Sequence, residues 1–278
     1  MAAIPSGRSG RRTPPWPLPS TAMDVAGAPP TIGCMQRRPA LLPADPEAPF
    51  PPAGSAMREP DGLLAVGGDL APTRLLNAYR HGIFPWFSEG QPILWWCPDP
   101  RMVFRTEALR LSSRFRRSLR RSAWQVRSDG AFDRVVEACA RAPRPGQHGT
   151  WITAGMQAAY RELHQLGHAH SIEVYDGLRL VGGLYGVATG RMFFGESMFS
   201  AASGGSKVAL AALASRLREW GWPLIDAQLE SAHLAGLGAE AWSREDFLRA
   251  VAQLGGLPQP PGPWHERFEP VPACLLAG

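Results

Sequence analysis

Three β-rich stretches follow one another between residues 170 and 200, HSIEVYD, LRLVGGLYGVATG and RMFFGESMFS, parted only by turn signals. A chain that carries them is committed to a sheet, and the segments around them decide the fold class. Before them stand GAFDRVVEACARA and TAGMQAAYRELHQLG, whose apolar residues recur at helical spacing. After them come a helix over SKVALAALASRLREWG, a strand at PLIDAQLE and a helix at SREDFLRAVA opened by a Ser-x-x-Asp cap. This order predicts a mixed α/β (α+β) sheet rather than the strict alternation of a dinucleotide-binding unit.

Residues 58–104 predict a small N-terminal unit. Pro72 opens a short helix through TRLLNAYRHG that Gly82 closes, ILWWC forms a strand before the Pro98 and Pro100 turn, and Gly67 and Gly68 make a tight turn. Residues 1–52 differ in kind. They hold 13 of the 28 prolines and show neither strand nor helix periodicity, so they read as a disordered extension. The expected organisation is that extension over 1–52, a small N-terminal domain over 53–104, a basic segment over 105–127 and the mixed-sheet domain over 128–270.

No apolar stretch is long enough to span a membrane, and the arginine-bearing N-terminus lacks the apolar core of a secretory signal. A cytoplasmic protein with no membrane partner is expected. Cys34, Cys97, Cys139 and Cys274 are scattered singly, which argues against a zinc site or a disulfide framework and for reduced thiols. The net charge of +5 is unevenly spread. Lys207 is the one lysine among 29 cations, and nine arginines between Arg101 and Arg127 face a single acid, Glu107. On a helix Arg114, Arg117 and Arg121 share one face and Arg116 and Arg120 another, two basic stripes suited to a phosphate backbone.

His164, His168 and His170 could gather a metal, but Gly167 should end the helix between the first two and leave them capping or entering a strand. SAASGGSKVAL can present backbone N–H groups and Lys207 to an anion, or be a flexible helix start; it lacks the order of a nucleotide-binding loop. Glu196 in FFGESMFS and Asp226 with Gln228 in LIDAQLE lie on two predicted strands. With a period of 2, residues 226 and 228 emerge on one face of an apolar sheet. Such carboxylates are either functional or held by hydrogen bonds at a sheet edge.

The runs GLLAVGGDLAPTRLLNAYRHGIFPWFSEGQPILWWCPDPR (62–101), TWITAGMQAAYRELHQLGHAHSIEVYD (150–176), LVGGLYGVATGRMFFGESMFS (180–200) and LIDAQ (224–228) resemble the bacterial leucyl/phenylalanyl-tRNA-protein transferases. The likeness covers roughly residues 50 to 270. It implies a small N-terminal domain followed by a GNAT-type acyltransferase domain. It also implies transfer of Leu, Phe or Met from aminoacyl-tRNA to an N-terminal Arg or Lys of a protein, marking that protein for degradation. No cofactor is implied, because aminoacyl-tRNA is itself the activated donor, and a monomer is expected.

By the same resemblance Trp86 and Trp151 lie near the 3′ adenosine, and Leu184, Met198, Ser200, Leu210, Leu213, Leu217 and Ile225 line the side-chain pocket. Asp226 would act through Gln228 on the attacking amine, and Glu196 would hold the aminoacyl group or the acceptor. An acidic centre of this kind would attract a cationic acceptor. Arg114, Arg116, Arg117, Arg120, Arg121 and Lys207 would hold the tRNA. Two positions depart from the family pattern: Ala227 replaces a usual cysteine and Ser231 a common asparagine. A non-catalytic module binding aminoacyl-tRNA and a CoA-dependent N-acetyltransferase are the alternatives, the second disfavoured by the lack of a pyrophosphate-binding glycine loop.

Overall fold

A computed structural model describes residues 38–143, 150–259 and 262–278. In chain order its strands are β1 (Ala40–Leu42), β2 (Leu63–Gly67), β3 (Phe84–Pro85), β4 (Leu94–Trp96), β5 (Arg101–Arg105), β6 (Gln125–Ser128), β7 (Ala169–Asp176), β8 (Arg179–Thr189), β9 (Met192–Ser200), β10 (Leu224–Gln228), β11 (Glu240–Trp242) and β12 (Val271–Pro272). Its helices are α1 (Pro72–Arg80), α2 (Ser113–Leu119), α3 (Phe132–Arg141), α4 (Ala154–Gln165), α5 (Gly205–Glu219), α6 (Ala232–Gly236) and α7 (Arg244–Leu254). Among the described residues no helix is long and apolar enough to cross a membrane.

Local signals set the helix limits. Pro72 occupies the first turn of α1, where its missing N–H is no loss. Side-chain oxygens of Ser112, Thr153 and Ser243 cap α2, α4 and α7, each accepting from a backbone N–H in the first turn. The cap predicted at Ser243 is reciprocal with Asp246, whose carboxylate accepts the serine hydroxyl at 2.6 Å.

A four-stranded sheet has the order β1-β2-β4-β3, and an eight-stranded sheet the order β11-β5-β10-β9-β8-β7-β6-β12. Within the larger sheet β9 and β10 run parallel while their outer neighbours β8 and β5 pair antiparallel, so the sheet is mixed as the element order predicts. Alternate residues of its strands feed two cores. Phe194, Tyr185 and Val187 join the core that also holds α1, α3, α4 and the smaller sheet, while Phe193, Leu184 and Ile225 join the one under α5. The start of α5 presses on β8, where a Cβ on Gly182 would stand 2.4 Å from Gly205 Cα.

The domain limits need correction at both ends. Residues 38–52, assigned by composition to the extension, belong to the fold: β1 pairs parallel with β2, and Arg74 of α1 holds the following loop. That buried guanidinium donates to the carbonyls of Ala48 at 3.2 Å, Pro43 at 2.9 Å and Asp45, and to Asp69 at 3.2 Å. Proline counting missed this because the stabilising partner is a side chain far along the chain. Residues 1–37 lie outside the described residues. β5, placed by sequence across the end of the small domain, is an inner strand of the large sheet, and β12 beyond residue 270 extends it.

Replacing Arg74 by Met should therefore cost about 1–3 kcal/mol, because it removes the hydrogen bonds by which this buried side chain holds residues 43–48 to α1. Urea unfolding of the two proteins measures it.

Candidate active site

Two β-bulges lie on neighbouring strands. Between β8 and β9, Tyr185 pairs with Ser197 and Gly186 with Gly195, so Glu196 is the extra residue. Between β5 and β10, Asp226 pairs with Val103 and Gln228 with Met102, so Ala227 is extra. The parallel pairing of β10 with β9 ends at Asp226 and Phe194, although β9 continues to Ser200. The three polar residues singled out by sequence meet where these strands part.

Glu196 is caged by hydroxyls from two helices. Its carboxyl oxygens lie 2.8 Å from Tyr79 Oη and 2.6 Å from Tyr160 Oη, and the two hydroxyls lie 2.7 Å from each other. Gln228 Nε2 donates to Glu196 Oε1 at 2.8 Å. The three short oxygen–oxygen distances around this ring require three protons. Two phenols supply two, so all three contacts are hydrogen bonds at once when Glu196 carries its proton. Electrostatics agree: burial, aided by the charge of Asp226, pushes the Glu196 carboxyl up to about 7 against the pull of the tyrosine and Gln228 hydrogen bonds. Burial and the neighbouring carboxylate likewise push both tyrosines well above their ordinary range.

Asp226 is fully buried and bound on both oxygens by Arg101, with Nε to Oδ1 at 2.8 Å and Nη2 to Oδ2 at 2.6 Å. Oδ1 also accepts the backbone N–H of Gln228 at 2.9 Å. That bond holds Gln228 at φ 61°, a left-handed conformation unusual for a residue other than glycine. Asp226 and Gln228 thus converge through a bulge and an aspartate-anchored turn, not through the simple two-residue pleat that sequence predicts. Arg101 corrects a second expectation, since it stands apart from the solvated basic segment, wholly buried between the rings of Phe84 and Phe247 at 4.7 and 4.4 Å. Burial opposes its charge, yet Asp226 holds its pKa above the ordinary arginine value. With Asp226 paired to Arg101 and the Glu196 carboxyl raised to about 7, the centre carries less negative charge near neutrality than two free carboxylates would.

The remaining candidates fall into separate groups. Leu184, Leu210, Leu213, Leu217 and Ile225 share one buried cluster with Met198 packed against it, on the α5 side of the sheet. Ser200 fastens α5, its Oγ accepting Ser206 N at 2.9 Å. Trp86 and Trp151 are half-buried against the core that holds Tyr79 and Tyr160. Lys207 Nζ lies 5.6 Å from the centre of the Phe115 ring, which joins the first turn of α5 to α2. On α2 and the turn after it, Arg114, Arg117 and Arg121 are exposed. Arg116 instead donates to the Gly278 carbonyl at 3.0 Å, and Arg120 reaches the Ala277 carbonyl at 3.5 Å, so of the two predicted stripes the first is open and the second is partly engaged.

The histidines separate as Gly167 predicts. His164 donates to the Ala169 carbonyl and His170 to Asp129, each at 2.8 Å. Ser231 caps α6, where the family likeness implied an amide. A cavity of about 490 Å³ lined by Arg191, Trp220, Trp222 and Arg267 opens beside the β8–β9 turn, at the other end of β9 and β10 from Glu196 and Gln228.

Sequence reading missed Arg101, Tyr79 and Tyr160. The tyrosines carried a signal: Tyr79 is four residues beyond Leu75 and Tyr160 four beyond Met156, so each occupies the apolar face of its helix and must bury a hydroxyl that needs a partner. Arg101 carried none, because in sequence it is one of a run of nine arginines.

This is a mixed α/β protein whose sheet opens beside a buried acid–amide–arginine centre. A family model described as leucyl/phenylalanyl-tRNA protein transferase matches residues 103–252, and the model of that family's N-terminal domain matches residues 68–99. The chain is 69% identical over 232 residues to the leucyl/phenylalanyl-tRNA--protein transferase of Xanthomonas euvesicatoria pv. vesicatoria, covering 84% of this chain and 93% of that protein. It is 68% identical over 238 residues to that of Xanthomonas axonopodis pv. citri, covering 86% and 96%. It is 60% identical over 234 residues to that of Xylella fastidiosa, covering 84% and 96%. The chain belongs to the leucyl/phenylalanyl-tRNA protein transferase family.

The raised Glu196 carboxyl has a signed effect on stability. Its contribution is complete below the unfolded value near 4.5 and is lost as pH rises through about 7. Relative to Glu196→Gln, the unaltered protein should lose about 2–3 kcal/mol of stability between about pH 5 and about pH 8. Urea unfolding of both proteins at the two pH values checks it, and a pH-independent difference would refute it.

Proposed function

We propose that this protein transfers Leu or Phe, with Met as a further candidate donor, from aminoacyl-tRNA to the N-terminal Arg or Lys of acceptor proteins, and so marks them for degradation. The observation that carries the reading is the joining of Glu196, Gln228 and Asp226 by hydrogen bonds where β9 and β10 part. Membership of the family and the near full-length match to its curated members support it. The larger sheet is taken as a GNAT-type acyltransferase domain.

The reaction is aminolysis of an ester. The acceptor's α-amine forms a bond to the acyl carbon, the bond to the tRNA 3′ oxygen breaks, and the proton shed by nitrogen ends on that oxygen. Protons balance without a permanent base. With Nε2 of Gln228 committed to Glu196, its amide oxygen is the remaining acceptor for an amine N–H and orients the lone pair toward the ester. An α-amino group has a neutral fraction near pH 7, so orientation is the main demand. Glu196 anchors Gln228 and borders the donor's aminoacyl group.

The apolar cluster of Leu184, Met198, Leu210, Leu213, Leu217 and Ile225 takes the aminoacyl side chain, with Ser200 fixing the start of α5 beside it. One methylene changes binding in an apolar pocket by only about 1–3 kcal/mol, which accounts for a breadth of donors. Trp86 and Trp151 stack near the 3′ adenosine. Arg114, Arg117 and Arg121 hold the phosphate backbone, aided by Lys207 and by the partly engaged Arg116 and Arg120. The ester is already activated, so no cofactor is needed; the protein acts in the cytoplasm as a monomer.

Labelled Phe-tRNA or Leu-tRNA mixed with a peptide beginning in Arg should lengthen that peptide by one residue, and no product with either tRNA overturns the reading. Gln228→Ala should slow turnover roughly 100-fold while tRNA binding holds. Charge reversal at Arg114, Arg117 and Arg121 should weaken tRNA binding and flatten the slope of log affinity against log salt by about 0.7–0.9 for each phosphate that is no longer neutralised. Filter binding over a salt series measures that slope.

A further inference from the structure

We propose that Arg101 is a positioning residue for transfer: by closing both oxygens of Asp226 in a fork it cancels the charge of that carboxylate, so that the acceptor amine sits there as a neutral nucleophile while Asp226 pins Gln228. The inference rests on the transferase reading above and concerns how its site is held.

The geometry is specific to one partner. Nε and Nη2 of Arg101 both face Asp226, and its buried Nη1 has no hydrogen-bond partner among the described residues. Phe84 and Phe247 cover the two faces of the guanidinium. A buried ion pair adds little net stability over a well-packed apolar pair, so stability alone is a weak reason for this one. Its position is informative: Oδ1 of Asp226, which takes Arg101, also takes the Gln228 N–H that holds the left-handed turn.

The groups around the pair are few. Tyr79 comes from α1, Tyr160 from α4 and Tyr185 from β8; Asp226 and Gln228 come from β10; Cys97 precedes β5; and α7 contributes the Phe247 ring. Glu196, with its carboxyl raised to about 7, adds charge only as pH rises through that value, and it titrates in the unaltered protein and the variants alike. Without Arg101, a bare carboxylate would stand beside the nucleophile and favour its ammonium form. A nearby opposite charge raises an amine's pKa by about 1–3 units, and each unit removes tenfold of the reactive fraction. Arg101 thus shields the amine without touching it.

The test measures kcat and KM across a pH series with the full chain, Phe-tRNA and an Arg-initiated peptide. Arg101→Met should move the midpoint of kcat up by about one pH unit and lower kcat near neutrality roughly tenfold, with KM for Phe-tRNA unchanged. Asp226→Asn, which leaves the guanidinium uncompensated, should move the midpoint down. The double variant Arg101→Gln with Asp226→Asn should return it to the original position. An unshifted midpoint in Arg101→Met overturns the proposal even if kcat falls, since a merely structural loss would act equally at every pH. Should Arg101→Met fail to fold, the opposite shift in Asp226→Asn and its reversal in the double variant decide the matter. If the unaltered protein makes no product, the transferase reading fails. The charge balance is then read from the carbon-13 carboxyl titration of Glu196, whose midpoint must rise in Arg101→Met and fall in Asp226→Asn; an unmoved titration overturns the inference by itself.

Discussion

The ion pair between Arg101 and Asp226 is the constraint on which the centre depends. It ties β5 to β10 inside the sheet, and the same aspartate oxygen that meets the guanidinium fixes the backbone of Gln228. Gln228 in turn reaches Glu196 on β9, and Glu196 collects the hydroxyls of α1 and α4. A chain of short polar contacts thus crosses from one inner strand to two helices through an otherwise apolar interior. Each buried polar group on that path is costly unless its neighbour is in place, so the arrangement tolerates few alternatives.

Irregularity in the sheet gives this chain of hydrogen bonds room. A regular strand would alternate its residues between the two cores, whereas the bulges at Glu196 and Ala227 break the alternation at the level where β9 and β10 cease to pair. Polar groups then gather on the side of α1 and α4, while the leucine-rich cluster lies under α5. The basic surface is a third, separate device on α2. Segment 273–278 occupies part of it through Arg116 and Arg120, leaving the exposed stripe of Arg114, Arg117 and Arg121 to carry the free charge.

Much of this was legible in the residues. The helix limits at Pro72, Thr153, Gly167 and Ser243 follow from capping and glycine chemistry that acts within a few residues. Glu196, Asp226 and Gln228 stood out because acids and amides are rare in apolar strands. The limit at residue 52 failed because composition reports only a segment's own capacity to bury surface, while Arg74 supplies hydrogen bonds to 43–48 from another element. Arg101 was misread for a related reason. A charge in sequence looks the same whether it faces water or an aspartate 125 residues away.

The sequence by itself determined the mixed α/β class, the order of its elements, the family likeness and the identity of the polar residues at the centre, because periodicity, caps and residue chemistry are local properties. Only the tertiary structure decided the electrical state of that centre. Whether two carboxylates make an acidic site or a neutral one depends on what lies within a few ångströms of them, and here a buried guanidinium neutralises one while burial, against the pull of two phenols, raises the pKa of the other to about 7. Those neighbours come from helices and strands distant in the chain, and folding alone brings them together.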